Sequence, residues 1–483
     1  MAITLGVALI SAGPAAATPT FGITTTPTLY PTFNPNVTDY VARCTSSPVL
    51  VSVQVPLGME ALVDSQPGHL TSFSTSVSVA TGQGFSVTEI GLANSSLHTY
   101  NVRCLPVDFP NFTSQKLGTP QAQFYVVKPE SFGTAAQQYI AIFDNDGVPV
   151  WWLPDRAGFD AGILRNNNIT SIVSGPGVSP QLEVHNLDGQ LVAGFNAVNT
   201  GSSTPFDAVD GHDVQLLPNG DYLFGEIKTI TGDLSSIGGS PTATISDQVL
   251  EEVNPSGQLV WHWDVAQHIG VDQTDPQWYA TALQAGILAP GNDIYHWNSL
   301  EEVGNQILIS LRHADAVYDI DKTTGNILWK IGGSHIAQSL RIVGDPVFTA
   351  GGGFGGQHFA RFYGGTTTQV TIHDNGTGRG RGPRGVRYVI SLANRTATMV
   401  ESVTDPADTF SACCGSATKL PTGDWVASWG FGPYVEELTP AGARVLLIQW
   451  TDPNTFSYRA EPVMPGQLTL AQLRTAMNFQ YPR

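Results

Sequence analysis

Between residues 21 and 115 apolar and polar positions alternate in short runs. "YVARC", "VLVSVQV", "TSVSVA", "GFSVTEI" and "HTYNVRC" set Val, Phe and Ile against intervening Ser and Thr. A period of two is that of a strand with one face buried, so the stretch predicts a small antiparallel β-sandwich. "FPNFTSQKLGTP" (109–120) then reads as a linker. Beyond it a loose repeat sets in: "IFDNDGVPVWW", "VHNLDGQLVAGF", "EVNPSGQLVWHW", "DIDKTTGNILWKI", "SLANRTATMVESV" and "ELTPAGARVLLIQW". Most of these read as a strand, a polar turn with glycine, and a second strand that often ends in tryptophan. Several follow another hairpin signature, as in "LLPNGDYLFGE", "EEVGNQILISLR" and "KLPTGDWVASWG". Two hairpins per unit, repeated about six times, predict a β-propeller of six blades. Uneven spacing implies insertions such as 264–293, where "PQWYATALQAGIL" predicts a short helix, and "LTLAQLRTAM" predicts another near the end. The expected architecture is all-β: a signal-like segment (1–20), a sandwich (21–115), a six-bladed propeller (116–455) and a tail (456–483).

Composition fits this picture. Among 483 residues only 13% are charged, while Gly 51 and Pro 32 are abundant, which suits short strands and tight turns. A net charge of −18 repels polyanions and argues against a nucleic-acid partner. The apolar opening run and the A-x-A-like site at Ala15–Ala17 read as a secretory signal without its positive n-region, pointing to a start upstream. That run is too short to span a bilayer and no later one is long enough, so a secreted or periplasmic protein without stable membrane insertion is expected. Cys44 and Cys104 are then expected to form a disulfide. Cys413 and Cys414 are adjacent, which permits a vicinal disulfide or two buried thiols, and we read them as thiols. No cysteine spacing resembles a zinc site, and neither a metal nor another cofactor is expected.

A propeller brings residues distant in sequence together at its central channel. "DGHDVQLLPNG" places His212 before a hairpin, and "DIYHWNSLEE" does the same for His296 and Asn298. "QILISLRHADAVYDID" carries Arg312 at a strand end, and "GGGFGGQHFARF" sets His358 after glycines that allow close backbone approach. Singly, each suits a hydrogen bond between blades. Together they form a cationic, donor-rich set fit for an anionic group. Strand alternation should turn His313 away from Arg312, which leaves His313 outside the set. His185 suits a blade hairpin, and His262, His268, His335 and His373 read as structural or exposed. Arg379, Arg381, Arg384 and Arg387 in "HDNGTGRGRGPRGVRY" read as a solvated loop near the channel rim, since RNA binding sits poorly with an acidic chain.

"HDVQLLPNGDYL", "HWNSLEE", "SLRHADAVYDID…GNILWKIGG" and "GQHFARF" together resemble the PAPS-independent arylsulfate sulfotransferases over most of residues 120–450. That family consists of exported six-bladed propellers with a smaller N-terminal β-domain. The resemblance implies an aryl sulfate donor, a phenolic acceptor and a ping-pong reaction in which His358 is transiently sulfated. It casts His212, His296, Asn298 and Arg312 as groups that bind sulfuryl oxygens and assist proton transfer. A hydroxyl from the last blade falls on Ser416 in "CCGSATKL". The chain departs from the family in reading "SLRH" for "SSRH" and in carrying the Cys413–Cys414 pair.

The chemistry is consistent with those roles. Sulfuryl transfer, like phosphoryl transfer, spreads charge over equatorial oxygens, so oriented donors should dominate. Arg312 offers a planar fork. His212 or His296 could protonate the leaving phenolate, and neutral His358 supplies a nitrogen nucleophile. The acidic surface is no obstacle, because at a Debye length of about 8 Å remote carboxylates are screened. Two other readings stand beside this one. One is a non-catalytic propeller that binds a glycan or protein at the channel mouth. The other is a metal-dependent sulfate-ester hydrolase, which the scarcity of carboxylates beside the histidines, apart from Asp213, disfavours. Oligomeric state is left open.

Overall fold

The structure, a computed structural model, describes residues 20–44, 48–131, 137–155, 160–173, 178–198, 200–202, 207–286 and 290–483. The signal-like segment, but for its last residue, lies outside them. Half of the chain is strand and 8% helix, so the protein is all-β. It divides into two compact units, one of residues 1–107 with 481–483 and one of residues 108–480. No helix among the described residues is long and apolar enough to cross a membrane.

In the first unit, strands Gly22–Thr26, Val49–Gln54 and Phe73–Val77 form one sheet. A second sheet runs in the order Leu29–Tyr30, Asp39–Arg43, Leu97–Leu105, Gly84–Gly91, Met59–Val63. Val49, Val51 and Val53 of the first sheet share a core with Tyr40, Val87, Tyr100 and Val102 of the second. The expected alternation therefore holds, with one face of each sheet turned to that core. Asp39–Arg43 pairs parallel to Leu97–Leu105, a departure from all-antiparallel pairing. Cys44 and Cys104 are joined across Cα atoms 5.3 Å apart.

Among the described residues the second unit holds six sheets of four or five strands. Each of the six repeats noted in the sequence supplies the paired strands of one sheet: 138–144 with 149–155, 182–185 with 191–195, 243–253 with 259–264, 316–321 with 327–332, 384–391 with 396–403, and 434–438 with 444–450. Their turns need a residue at positive φ. Gly147, Gly189, Gly257, Gly325 and Gly442 provide it, and Arg395 adopts it at φ 50° in the fifth repeat.

Strands 161–163, 207–216, 297–303, 358–363, 416–419 and Thr455–Val463 each form one edge of their sheet, here termed central. Consecutive sheets contact one another through or beside these strands, and the sixth contacts the first, which closes a ring. Strands from both ends of the unit complete it. Thr455–Val463 pairs with Phe124–Ser131, and Phe112–Lys116 pairs with the last strand of the sixth sheet. Residues 109–120 are therefore not a linker. Their alternation was masked by flanking Pro and Gly, and what fixes them is an edge offered more than 300 residues later. The helix expected at 468–477 is Leu470–Gln480, which buries Leu473, Ala476 and Met477. The 264–293 insertion contributes the single turns Pro276–Trp278 and Tyr279–Ala282.

Candidate active site

The glycines before His358 are clamped. Gly355 N–H donates to Asp374 Oδ1 at 3.1 Å and Gly356 N–H to Asp315 Oδ1 at 2.7 Å. A Cβ on Gly355 would lie 2.6 Å from the Thr377 carbonyl oxygen, and Gly356 sits at φ 60°, so neither position tolerates a side chain without strain. Gln357 donates from Nε2 to the carbonyls of Leu311 and Ala316 at 3.0 and 2.9 Å, fixing the turn to the fourth sheet. Phe359, at φ 48°, then interrupts the strand register between the pairs His358–His373 and Arg361–Thr371. The backbone is bent where the nucleophile candidate sits, and the bend is held by hydrogen bonds.

His358 is buried, 1% exposed. Its Nδ1 lies 2.7 Å from the Gly356 carbonyl oxygen and 2.8 Å from Asn375 Oδ1. Its Nε2 accepts the Cys414 backbone N–H at 3.1 Å. Burial first, then the Arg312 charge and His373, hold its pKa well below the ordinary value, so the ring is neutral at neutral pH.

Arg312 is also buried, 7% exposed, and stacks 3.9 Å over the Trp278 ring. Nη1 donates to His313 Nε2 at 3.0 Å and Nη2 to the Ala412 carbonyl at 3.0 Å, while Nε has no acceptor. Among the described residues no carboxylate lies within ion-pair distance of this guanidinium. His313 in turn donates from Nδ1 to the Asp293 carbonyl at 2.6 Å. Exclusion of His313 is therefore corrected. Residues 312–314 form a turn of 3-10 helix, where strand alternation does not apply, and His313 holds Arg312 in place. Burial pushes the His313 pKa down to about 3, which keeps Nε2 an acceptor.

His296 and His212 complete the cluster, their ring centroids 5.3 Å apart, with His313 4.8 Å from His296. His296 Nδ1 is 2.5 Å from Asp293 Oδ2, and His212 Nδ1 bonds Asp210 Oδ1. Carboxylates thus do stand behind both histidines, contrary to the sequence reading. Asp210 and Asp293 precede them by two and three residues, a spacing that could have revealed them. Burial, Arg312 and His212 hold the His296 pKa well below the ordinary value. A ring held neutral is suited to accept a proton rather than to donate one. Tyr458, from the last strand, has its ring 5.8 Å from His212 and 6.3 Å from His358. The sequence reading missed Tyr458, Trp278 and Asn375.

Other assignments are relocated. Asn298 donates from Nδ2 to the Gln357 carbonyl at 2.7 Å, so it supports the turn before His358. Ser416 Oγ accepts the Ala460 N–H at 3.0 Å and donates to its carbonyl at 3.3 Å, bridging two central strands. From "CCGS" it is the Cys414 N–H, not the serine hydroxyl, that reaches His358. Cys413 and Cys414 are joined to each other rather than free, and Cys414 at φ 66° departs from the extended alternation that would separate their side chains. The arginine segment is not a solvated loop. Arg379 pairs with Asp275 and Asp315, Arg381 with Asp374, Arg384 with Asp345 and Asp374, and Arg387 with Glu401. His373, read as structural or exposed, is buried, in keeping with the first of these, and among the described residues neither ring nitrogen has a hydrogen-bond partner. Asp293, His296 and His313 are spaced as cation ligands, but His313 spends both nitrogens on Asp293 and Arg312.

Solved structures similar to this chain are distant. A protein of unknown function from Bacteroides caccae is 13% identical, covering 71% of this chain and 99% of its own, with a TM-score of 0.42. An auxiliary nutrient binding protein from Bacteroides ovatus is 11% identical, covering 85% of this chain and 86% of its own, with a TM-score of 0.31. At these scores neither bears on what this chain does. No curated protein sequence matches it. Residues 111–455 match the family model described as arylsulfotransferase (ASST), a span that includes the cluster from His212 to Cys414. With most of its length matched and the motifs around His212, His296, Arg312 and His358 inside the match, the chain belongs to the arylsulfotransferase family.

Proposed function

We propose that this protein is an exported PAPS-independent sulfotransferase that moves the sulfuryl group of an aryl sulfate to a phenol through a sulfated His358. The observation that carries the reading is Arg312, a buried guanidinium with a spare Nε–H and, among the described residues, no carboxylate within ion-pair distance. A buried cation without a direct ion pair suits a place where an anion is to be bound. In the first half-reaction the His358 Nε2 lone pair forms the bond to sulfur, the sulfur–oxygen bond to the aryl group breaks, and the leaving oxygen takes a proton from His212. Arg312 aligns the sulfuryl oxygens as they flatten. In the second half-reaction neutral His296, backed by Asp293, takes the phenol proton as the acceptor oxygen bonds to sulfur, the nitrogen–sulfur bond breaks and its electron pair returns to His358 Nε2; passing that proton to His212, whose ring centroid is 5.3 Å away, restores the starting state.

This reading takes the ring of six sheets as a six-bladed propeller and the first unit as a β-sandwich. The sequential sheet contacts and the shared core support it. Export is supported by the signal-like opening and by the Cys44–Cys104 disulfide. The test is incubation with 4-nitrophenyl sulfate with and without a phenol. Acceptor-stimulated release with ping-pong kinetics is expected, and the peptide containing His358 should gain one sulfuryl group when donor alone is supplied. A His358→Ala variant that turns over at the parental rate removes the assignment.

A further inference from the structure

We propose that Asn375 is a positioning residue that fixes which nitrogen of His358 attacks and supports the positive charge the ring then carries. The inference rests on the sulfuryl-transfer reading and concerns the same site. His358 Nδ1 faces two oxygens, the Gly356 carbonyl at 2.7 Å and Asn375 Oδ1 at 2.8 Å. Neither can donate, so Nδ1 carries the proton and the lone pair is left on Nε2. The carboxamide cannot turn over without loss. Asn375 Nδ2 donates to Ser411 Oγ at 2.7 Å and to the Cys414 carbonyl at 2.8 Å, and a flipped amide would set oxygen against that carbonyl and N–H against the histidine proton. Asn375 is fully buried, so water cannot replace these partners.

Attack by Nε2 leaves the Nδ1 proton in place. The nitrogen–sulfur bond forms, the electron pair of the sulfur–oxygen bond leaves with the aryl oxygen, and the ring becomes an N-sulfo imidazolium. Its charge is then met at Nδ1 by the Asn375 and Gly356 oxygens. A ring kept cationic is a good leaving group, so the same contact serves the return transfer to the phenol. The Cys414 N–H, which occupies the Nε2 lone pair, must move aside before sulfur can bond there.

Arg312, His296, His373 and Tyr458 stand around His358, and the Asp315 and Asp374 carboxylates are turned to the Gly356 and Gly355 N–H groups beside it. Among the described residues no carboxylate hydrogen-bonds the His358 ring, which makes an introduced one readable. The test compares the protein with Asn375→Asp and Asn375→Ala, using carbethoxylation of His358 by diethyl pyrocarbonate, which requires a neutral imidazole, followed by peptide mass spectrometry across pH. For the unaltered protein the labelling rate should show no acid limb at the ordinary imidazole position near about pH 6.5. With Asn375→Asp the acid limb should move up toward that position, its midpoint raised by about 1–3 units by the added charge. Asn375→Ala should lose about 10–100-fold in turnover with KM nearly unchanged, the usual scale for an orienting partner. An Asn375→Asp labelling profile that superimposes on the parent's, or parental turnover in Asn375→Ala, overturns the proposal. The labelling profile does not depend on sulfuryl transfer, so a failure of the enzymatic reading is seen separately, as absent turnover with the pH shift intact. Should Asn375→Ala fail to fold, the isosteric aspartate decides alone.

Discussion

Replacing Arg312 by lysine keeps a charge and removes a fork, and the structure sets the size of the effect. A guanidinium carries five N–H bonds. One on Nη1 is given to His313 Nε2 and one on Nη2 to the Ala412 carbonyl, which leaves three for a substrate, among them the Nε–H that meets no protein acceptor. An ammonium has three. If it keeps the two protein contacts it has one left, so two donors to the sulfuryl oxygens are lost. Removing a single preorganised donor of this kind costs about 10²–10³ in turnover, roughly 2.7–4 kcal/mol of transition-state stabilisation. Two such losses multiply to about 10⁴–10⁶ if independent, and because both donors sit on one group Arg312→Lys should lose at least about 10³ in turnover. KM for the aryl sulfate should move far less, because the equatorial oxygens reach their final geometry only as sulfur flattens. Initial rates with 4-nitrophenyl sulfate at saturating phenol, with a single-turnover measurement of the first half-reaction, separate the two parameters. Turnover within about tenfold of the parent would show that charge suffices and refute the role of the fork. A loss confined to KM would place the interaction in the ground state and refute it equally.

Two other outcomes are expected. His373 is fully buried, neither ring nitrogen has a hydrogen-bond partner among the described residues, and burial holds its pKa at about 4 against about 6.5 when unfolded. Below about 6.5 the unfolded chain binds a proton that the folded chain refuses, so stability falls as pH drops, by roughly 2 kcal/mol at pH 5. His373→Phe should remove that part of the pH dependence. Urea unfolding followed by tryptophan fluorescence checks this for the second unit alone, since all 10 tryptophans lie at or beyond Trp151, and an unchanged pH slope would sink the argument. Reduction of Cys413–Cys414 by a phosphine should loosen the N–H that caps His358 Nε2. Releasing one hydrogen bond of about 1 kcal/mol should speed carbethoxylation of His358 about fivefold. An equal rate before and after verified reduction would show that the turn is held by other contacts.

The repeat was legible because hairpins are local. A polar turn with Gly147, Gly257 or Gly325 between two short apolar strands is specified within about a dozen residues, so its strands follow from the sequence. Arg395 shows how far that goes: it takes the left-handed turn position without glycine, and the strands beside it still carried the pattern. His212, His296, Arg312 and His358 were legible for a different reason. His296, Arg312 and His358 stand at or beside a strand end and His212 where the register of strand 207–216 is interrupted, each within a motif, and a pocket for an anion needs those side chains whatever surrounds them.

What the sequence alone determined is thus the strand content, the hairpin repeat, the Cys44–Cys104 link and the residue types of the site. Tertiary structure decided how they are used, because each such choice depends on a partner far along the chain. Phe112–Lys116 is a strand only because residues 444–450 offer it an edge. His313 belongs beside Arg312 because a 3-10 turn replaces the strand there, and Ser416 is spent on Ala460 although it lies two residues from Cys414. Asn375 sits in a segment whose arginines drew attention away from it, and it became visible only when the ring closed and set its carboxamide between His358, Ser411 and Cys414. Such contacts leave no periodicity, since one hydrogen bond to a side chain tens of residues away constrains a single position and not a pattern.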